Sequence, residues 1–153
     1  RLATPLSLAT SGTFYPLVSI RLNSSFLGAV VLPITTGFLP VSGTGTYEVV
    51  LVKNASLTGA TWASTLSAGQ VDVDTAATAF SVAPSEDSIV QLSSATANNQ
   101  SQSAATAGSG YNWDLQLGVS QANVSDTYTL GVKGTFSASP TCIGNITFYN
   151  LTV

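Results

Sequence analysis

The chain has 153 residues, of which 44% are apolar, with four basic and seven acidic side chains and no histidine. This length suits one domain with a buried core, and the apolar share favours folding over disorder. The net charge of −3 excludes the basic field that nucleic-acid binding needs. No apolar run reaches about 18 residues, which excludes a transmembrane helix. The single cysteine, Cys142, excludes an intramolecular disulfide framework, and we expect a small buried side chain there.

Residues 1–14 (RLATPLSLATSGTF) have an irregular pattern that predicts an arm ahead of the domain. Because the chain opens at Arg1 and not at methionine, we expect a processed product or a fragment of something longer. Residues 15–22 alternate as a strand, and residues 28–34 are almost continuously apolar. Pro33 lacks an amide donor, so we expect it at a sheet edge or at a strand end.

The next residues, 35–46, are rich in glycine and proline and are predicted to form a loop. The clearest strand prediction is 46–53 (TYEVVLVK), where large apolar side chains alternate along the chain. Residues 70–75 (QVDVDT) alternate as well. Their two valines are predicted to face inward, and Asp72 and Asp74 to face outward.

Shorter patterns complete the chain. Residues 93–110 are of low complexity and are predicted to be a loop, because their composition cannot build a core. About nine short strands separated by turns, without a sustained helical period, predict an all-β fold. We expect one antiparallel β-sandwich or jelly-roll-like domain over residues 15–153. The remaining predicted strands are 78–82, 87–92, 111–119, 126–133 and 142–153.

Asp72 and Asp74 are the candidates for chemistry. Two positions apart on a strand, they lie about 7 Å from each other, which fits a glycosidase acid and base or, with neighbouring carbonyls, a calcium site. We favour a third interpretation, two solvated acids on an outer strand face, because nothing in the sequence buries one of them. No histidine is present to activate a serine or Cys142. We therefore expect no enzyme activity, no cofactor and no metal.

Six of the eight asparagines begin an N-x-S/T triplet, which is the acceptor for N-glycosylation. The excess of triplets indicates either true glycosylation or a turn and strand pattern that places serine and threonine near asparagine. Two of them, five residues apart near the carboxyl end, fall on opposite faces of one strand, so we expect at least one of these two to be silent. The six candidate sites are Asn23, Asn54, Asn99, Asn123, Asn145 and Asn150.

Aromatic side chains are the other candidates for recognition. They can form a platform on which sugars stack, or they can pack in the core and at interfaces, and we favour packing. The apolar, strand-like termini also predict contacts with other subunits. The aromatic residues considered are Trp62, Trp113, Phe14, Tyr15, Tyr111, Phe148 and Tyr149. The candidate interface residues are Leu6, Leu8, Phe14, Tyr15, Phe148 and Tyr149.

A succession of motifs over residues 15–153 resembles virion structural proteins of tailed bacteriophages, of the marine and cyanobacterial type. The segments are YPLVSIRL, AVVLP, YEVVLVKNASLTGATW, QVDVDTAATAFS, LQLGVSQANVSDTYTLGVKG and IGNITFYNLTV. The resemblance implies a capsid decoration, head-fibre, tail or baseplate module, located in the virion and acting through interfaces. It also implies homo-oligomers, with a trimer as one option, and other virion proteins as partners. A host surface glycan is a further partner to consider.

Two other classes stay open. One is a secreted, N-glycosylated filament or surface-layer subunit outside the cell, whose arm joins the sheet of the next subunit by donor-strand addition. The other is a carbohydrate-processing enzyme or sugar-binding module built on Asp72, Asp74 and the aromatic residues.

Overall fold

The computed structural model describes residues 4–25, 30–64, 70–97, 102–105 and 125–151. These residues form twelve strands and no helix, and every pair of strands is antiparallel, which confirms the predicted all-β, sandwich-like fold. The strands are β1 (Leu6–Ser7), β2 (Phe14–Leu22), β3 (Val30–Ser42), β4 (Gly45–Lys53), β5 (Leu57–Thr58), β6 (Ala63–Ser64), β7 (Val71–Asp74), β8 (Ala79–Phe80), β9 (Ile89–Ala97), β10 (Gln102–Ala105), β11 (Thr127–Phe136) and β12 (Thr141–Leu151).

The strands build three sheets. The four-stranded sheet has the order β1-β12-β3-β10, and the six-stranded sheet has the order β6-β7-β2-β11-β4-β9. A small third sheet is formed by β5 and β8, which are not hydrogen-bonded to the strands of the two large sheets. Four of the twelve strands, β1, β5, β6 and β8, are only two residues long, so eight strands carry the two large sheets.

The two large sheets face each other across one apolar core. β2 and β11 supply its centre from the six-stranded sheet, where Ile20, Tyr128 and Leu130 are fully buried. Glycine sets the closest approach between the layers, because a Cβ added at Gly144 of β12 would lie 2.7 Å from the Cδ2 of Leu130. Burial of this apolar surface is the main favourable term in folding.

Two aromatic rings and the cysteine extend the core toward one end of the sandwich. The rings of Phe38 and Tyr47 meet with centroids 5.2 Å apart at 53°. Such a tilted arrangement suits the quadrupoles of aromatic rings. Cys142 is fully buried, as its place in an apolar strand predicts.

Each of the three prolines inside a strand stands directly before a β-bulge. In the pairing of β2 with β11, Leu17 follows Pro16 and has no partner residue opposite it. In the pairing of β3 with β12, the same is true of Ile34 after Pro33 and of Val41 after Pro40. Proline cannot donate a hydrogen bond to the ladder, and a bulge removes the need for one at that point. Leu17 is nevertheless buried in the core, so this bulge lets two consecutive residues of β2 face inward.

The bulges explain the main difference from the sequence-based prediction. Residues 35–46 were predicted to be a loop, which is wrong, because β3 continues through Pro33 and as far as Ser42. The predicted loop at 93–110 also contains strand residues, since β9 extends to Ala97 and β10 begins at Gln102. Segment 111–119, predicted to be a strand, lies outside the described residues.

A third layer covers part of the outer face of the six-stranded sheet. It consists of residues 54–62 and 75–88, which include β5 and β8. Phe80 of β8 lies over Gly131, where an added Cβ would be 2.8 Å from the ring, and Val50 lies beside it. Both faces of this part of the sheet are therefore covered, which explains why Val50 is fully buried although it faces away from the main core.

The close approach of the sheets at Gly144 gives a first prediction. Gly144→Ala places a methyl group against Leu130 and Leu17, and we expect a loss of about 1–3 kcal/mol in the free energy of unfolding. Urea titration measures this, with Thr135→Ala at an exposed position of β11 as the control, expected to change stability by under about 0.5 kcal/mol. Equal stability of Gly144→Ala and the natural chain would contradict this packing of the layers.

Two buried core side chains that can lose a proton, Tyr128 and Cys142, predict that the folded protein is less stable at alkaline pH. Burial raises the pKa of the Tyr128 phenol from 10.0 to about 12, with Asp126 adding to the rise, and burial raises the pKa of the Cys142 thiol from 9.0 to about 12. The unfolded chain loses these protons first, so their stabilising contribution is complete below pH 9.0 and is lost as the pH rises to about 12.

The expected slope is about 1.4 kcal/mol per pH unit for each group within its window. Urea titrations at several alkaline pH values measure it, and Tyr128→Phe should remove the share of the phenol. At neutral pH we expect Tyr128→Phe to be neutral or stabilising, because no described residue accepts or donates a hydrogen bond at this hydroxyl. A free energy of unfolding that stays constant above pH 9.0 would refute the assignment.

Candidate functional site

Asp74 is a buried structural anchor. Only 1% of it is exposed, and its carboxylate accepts hydrogen bonds from the backbone N–H groups of Thr61 at 2.7 Å, Ala76 at 3.1 Å and Ala77 at 3.3 Å. Thr61 and Ala76 belong to the two different segments of the covering layer. One side chain thus ties both segments to β7.

Asp72 is buried as well, at the same face of β7. Its Oδ2 accepts a hydrogen bond from Arg21 Nε at 3.0 Å, and its Oδ1 accepts one from Asn23 Nδ2 at 3.1 Å. The Arg21 guanidinium also lies 4.5 Å from the ring centroid of Trp62, so it contacts the covering layer at the residue next to Thr61. The prediction that Asp72 and Asp74 are solvated acids is therefore wrong.

The physical reason for this correction is the covering layer. Alternation along β7 placed both acids on the face away from the main core, but it gave no sign that another segment covers that face. Once covered, a carboxylate is stable only with hydrogen bonds or an opposite charge, and both acids have them. Their oxygens are directed at protein groups, which leaves the pair arranged as a structural clamp.

Metal binding has no support in the described part of the chain. No group of three or more Cys, Asp or Glu side chains lies close enough there to hold an ion. The described residues likewise include no helix long and apolar enough to cross a membrane.

The other charged side chains of the strands are paired too. Lys133 Nζ lies 2.7 Å from Glu48 Oε2 and 4.6 Å from the ring centroid of Phe14. Lys53 Nζ lies 3.7 Å from Asp126 Oδ2, at the end of β4. Such half-exposed pairs contribute little stability, about 1 kcal/mol or less each. They do leave each of the three described cations with an acidic partner.

Charge is divided unequally between the two large sheets. Within strands, charged residues occur only in β2, β4, β7 and β11, which are the interior strands of the six-stranded sheet. The strands β1, β12, β3 and β10 contain no Asp, Glu, Lys or Arg, and we call these four strands the uncharged sheet. Soluble proteins usually place charge on such surfaces and sheet edges.

The outer face of the uncharged sheet is exposed or half-buried where its side chains are described. Asn145 and Thr147 of β12 are exposed there, and the side chain of Asn145 lies directly over Gly37 of β3. Val41, the bulged residue of β3, is 43% exposed. This face therefore presents neutral hydroxyl, amide and aliphatic groups.

A shallow groove of about 160 Å³ lies on the opposite side of the molecule. Val52, Phe80 and Pro84 contribute to its apolar floor, and Val82 at its edge is 68% exposed. Its polar rim is largely engaged within the protein, since Ser88 Oγ donates to the Ser85 carbonyl at 2.9 Å. The groove offers an apolar contact more than a polar binding site.

The glycosylation triplets are placed unequally. Asn54 has a positive φ of 53°, which asparagine tolerates better than most residues, and its side chain bridges to β11. Its Nδ2 donates to Asp126 at 3.0 Å and its Oδ1 accepts from the Thr127 N–H at 2.9 Å. Asn23 is held by Asp72, as described above. Both triplets thus have a structural use that needs no glycan, and glycosylation itself stays a prediction.

The remaining triplets add less. Asn145 is exposed on the uncharged sheet. The side chain of Asn150 and the whole of Asn99 and Asn123 lie outside the described residues.

The candidate interface residues are mostly committed to the chain itself. Leu8 is fully buried in the core, and Leu6, Tyr15 and Phe148 pack against it partly buried. An interface role for Leu8 would require the arm to leave its own domain. Phe14 lies under Lys133, and the side chain of Tyr149 is not among those described, as is also true of Tyr111 and Trp113.

Sequence reasoning did not identify the uncharged sheet, although a signal was present. Residues 22–47, 88–113 and 134–153 contain no charged residue, and these runs include β3, β9, β10 and β12. No family model matches the chain, and no curated protein or solved structure matches it either.

The clamp at Asp74 predicts a specific loss of stability. Asp74→Ala leaves three backbone N–H groups without their acceptor, and we expect the free energy of unfolding to fall by about 2–4 kcal/mol. Asp74→Asn keeps one acceptor oxygen and should lose less. Asp87→Ala, in an exposed turn, is the control and should change stability by under about 0.5 kcal/mol. A Asp74→Ala variant as stable as the control would contradict the clamp.

Proposed function

We propose that this chain is a non-enzymatic structural module of a phage virion, such as a capsid decoration, head fibre, or tail or baseplate component. It acts through contacts between subunits. The observation that carries this proposal is the division of charge, with every strand charge inside the six-stranded sheet and none in the uncharged sheet. A neutral sheet with an exposed face suits burial against another subunit, because no charge has to be desolvated.

The acidic pair supports a structural function in a second way. The carboxylate oxygens of Asp72 and Asp74 accept hydrogen bonds from Arg21, Asn23 and backbone amides. In a glycosidase, by contrast, the two carboxyl groups face a sugar and a water. Asp72→Asn tests the enzyme or sugar-binding alternative. We expect Asp72→Asn to lower the free energy of unfolding. We expect glycan binding and glycan hydrolysis to be the same for this variant and for the natural chain.

The secreted filament or surface-layer subunit is the second candidate. The exposed triplets at Asn54 and Asn145 favour it. Its assembly by donor-strand addition, however, requires the arm to leave a site where Leu8 is now fully buried.

Peptide mass spectrometry on purified phage particles from the natural source tests the proposal against this alternative. We expect peptides of the chain in the particles, in amounts comparable with other structural proteins, and with unmodified asparagines. Peptides found only in secreted material, with glycans on Asn54 or Asn145, would overturn the proposal and support the filament. Fractions of the same preparation that contain no phage particles serve as the control.

A further inference from the structure

The side of β12 that faces away from β3 is a long edge, and little of the described chain pairs with it. Of the described residues, only β1 pairs there, through Leu6 with Cys142 and Ser7 with Thr141. The arm runs antiparallel to β12, so residues ahead of Leu6 would have to continue the pairing, and Pro5 comes first. Proline has no N–H to donate, so it ends a ladder. Residues 143–151 thus have no described partner strand on that side.

In the part of the chain that the structure describes, this edge lacks the features that keep sheet edges apart. Natural proteins protect edges with charges, prolines, bulges or very short strands. Residues 143–151 (IGNITFYNL) contain neither a charge nor a proline. The two bulges of the β3–β12 pair place their extra residues in β3, so β12 itself runs without interruption.

The edges of the six-stranded sheet differ from this one. On one side it ends in β6, which is only two residues long. On the other it ends in β9, whose register skips Val90 and so contains a bulge. A short strand and a bulged strand are both poor templates for another chain. Among the described edges, β12 is the one that is long and regular.

The composition of β12 also fits pairing with itself. In an antiparallel pair of identical strands, residues near the symmetry axis face their own copies, and like charges there are destabilising. β12 has no charge to repel its copy. Thr147 stands at the middle of residues 143–151 and is exposed, and facing threonines stabilise strand pairs.

We propose that β12 pairs antiparallel with β12 of a second copy of this chain, about a two-fold axis near Thr147, so that two uncharged sheets join into one. This contact deepens the proposed function by naming the partner and the surface. Two-fold contacts of this kind are the commonest in homo-oligomers. Backbone hydrogen bonds hold the two copies together, and the apolar inner side chains of β12 continue one core into the next.

A lysine at the centre of the edge tests the contact. Thr147→Lys places two positive charges opposite each other across the axis and leaves the exposed side chain without a clash inside its own chain. We expect the dissociation constant of the dimer, measured by light scattering and sedimentation, to rise roughly tenfold or more. Val82→Lys adds the same charge on the far side and should leave the dimer unchanged. Thermal unfolding of each variant, followed by circular dichroism, checks that the fold is kept.

Disulfide trapping gives a second, independent readout. Thr147→Cys should form a disulfide-linked dimer on mild oxidation, since facing Cα atoms lie about 4.5–5.5 Å apart. Asn145→Cys should not, because position 145 then faces position 149 of the copy and lies roughly 14 Å from its own copy. The native Cys142 is buried, with its pKa raised to about 12, so it stays a thiol and does not compete. Val82→Cys, beside the groove on the opposite side, is the matched control.

The outcomes separate this inference from the proposed function. Trapping at Thr147→Cys but not at Asn145→Cys, together with weakening by Thr147→Lys, supports the β12 contact. Trapping at Val82→Cys alone, oligomers insensitive to Thr147→Lys, or a natural chain that stays monomeric overturns it. The particle measurement above is independent of all three, because a chain found in virions can still assemble through another surface.

Discussion

The part of the six-stranded sheet that lies under residues 54–62 and 75–88 is covered on both faces, and this constraint determines most of the structure. A polar group between two covering layers cannot form hydrogen bonds with water, so it is stable only with a hydrogen-bond partner or an opposite charge inside the protein. Asp74 therefore binds three backbone amides, and Asp72 binds Arg21 and Asn23. These contacts in turn hold the layer that makes the sheet doubly covered.

The same constraint leaves the other large sheet in a different position. Where its side chains are described, its outer face is exposed or half-buried, and its strands have no charge to protect that face or the β12 edge. An isolated chain with such a surface risks unspecific association. An assembled subunit does not, because the neutral sheet is then covered. The six-stranded sheet thus stabilises the fold of the chain, whereas the uncharged sheet offers a surface that other subunits can contact.

Local pattern was enough to predict the central strands. β2, β4, β11 and β12 follow alternating or apolar segments, and their residues reach the core as expected. β3 was only half predicted, because Pro40 and Gly37 are typical of loops and their accommodation depends on a bulge and on Asn145 from another strand. The burial of Asp72 and Asp74 could not be predicted either. Alternation along a strand assigns each residue to one face of the sheet. Whether that face is exposed to solvent depends on the covering layer, which comes from other parts of the chain.

Hydrogen exchange of the full chain at low and high protein concentration compares the uncharged sheet and the covering layer in one measurement. If the uncharged sheet is the surface that binds neighbours, association slows exchange in peptides covering β12, while peptides from the covering layer at 75–88 exchange equally at both concentrations. Slower exchange confined to the covering layer, with β12 unchanged, would contradict this role of the uncharged sheet.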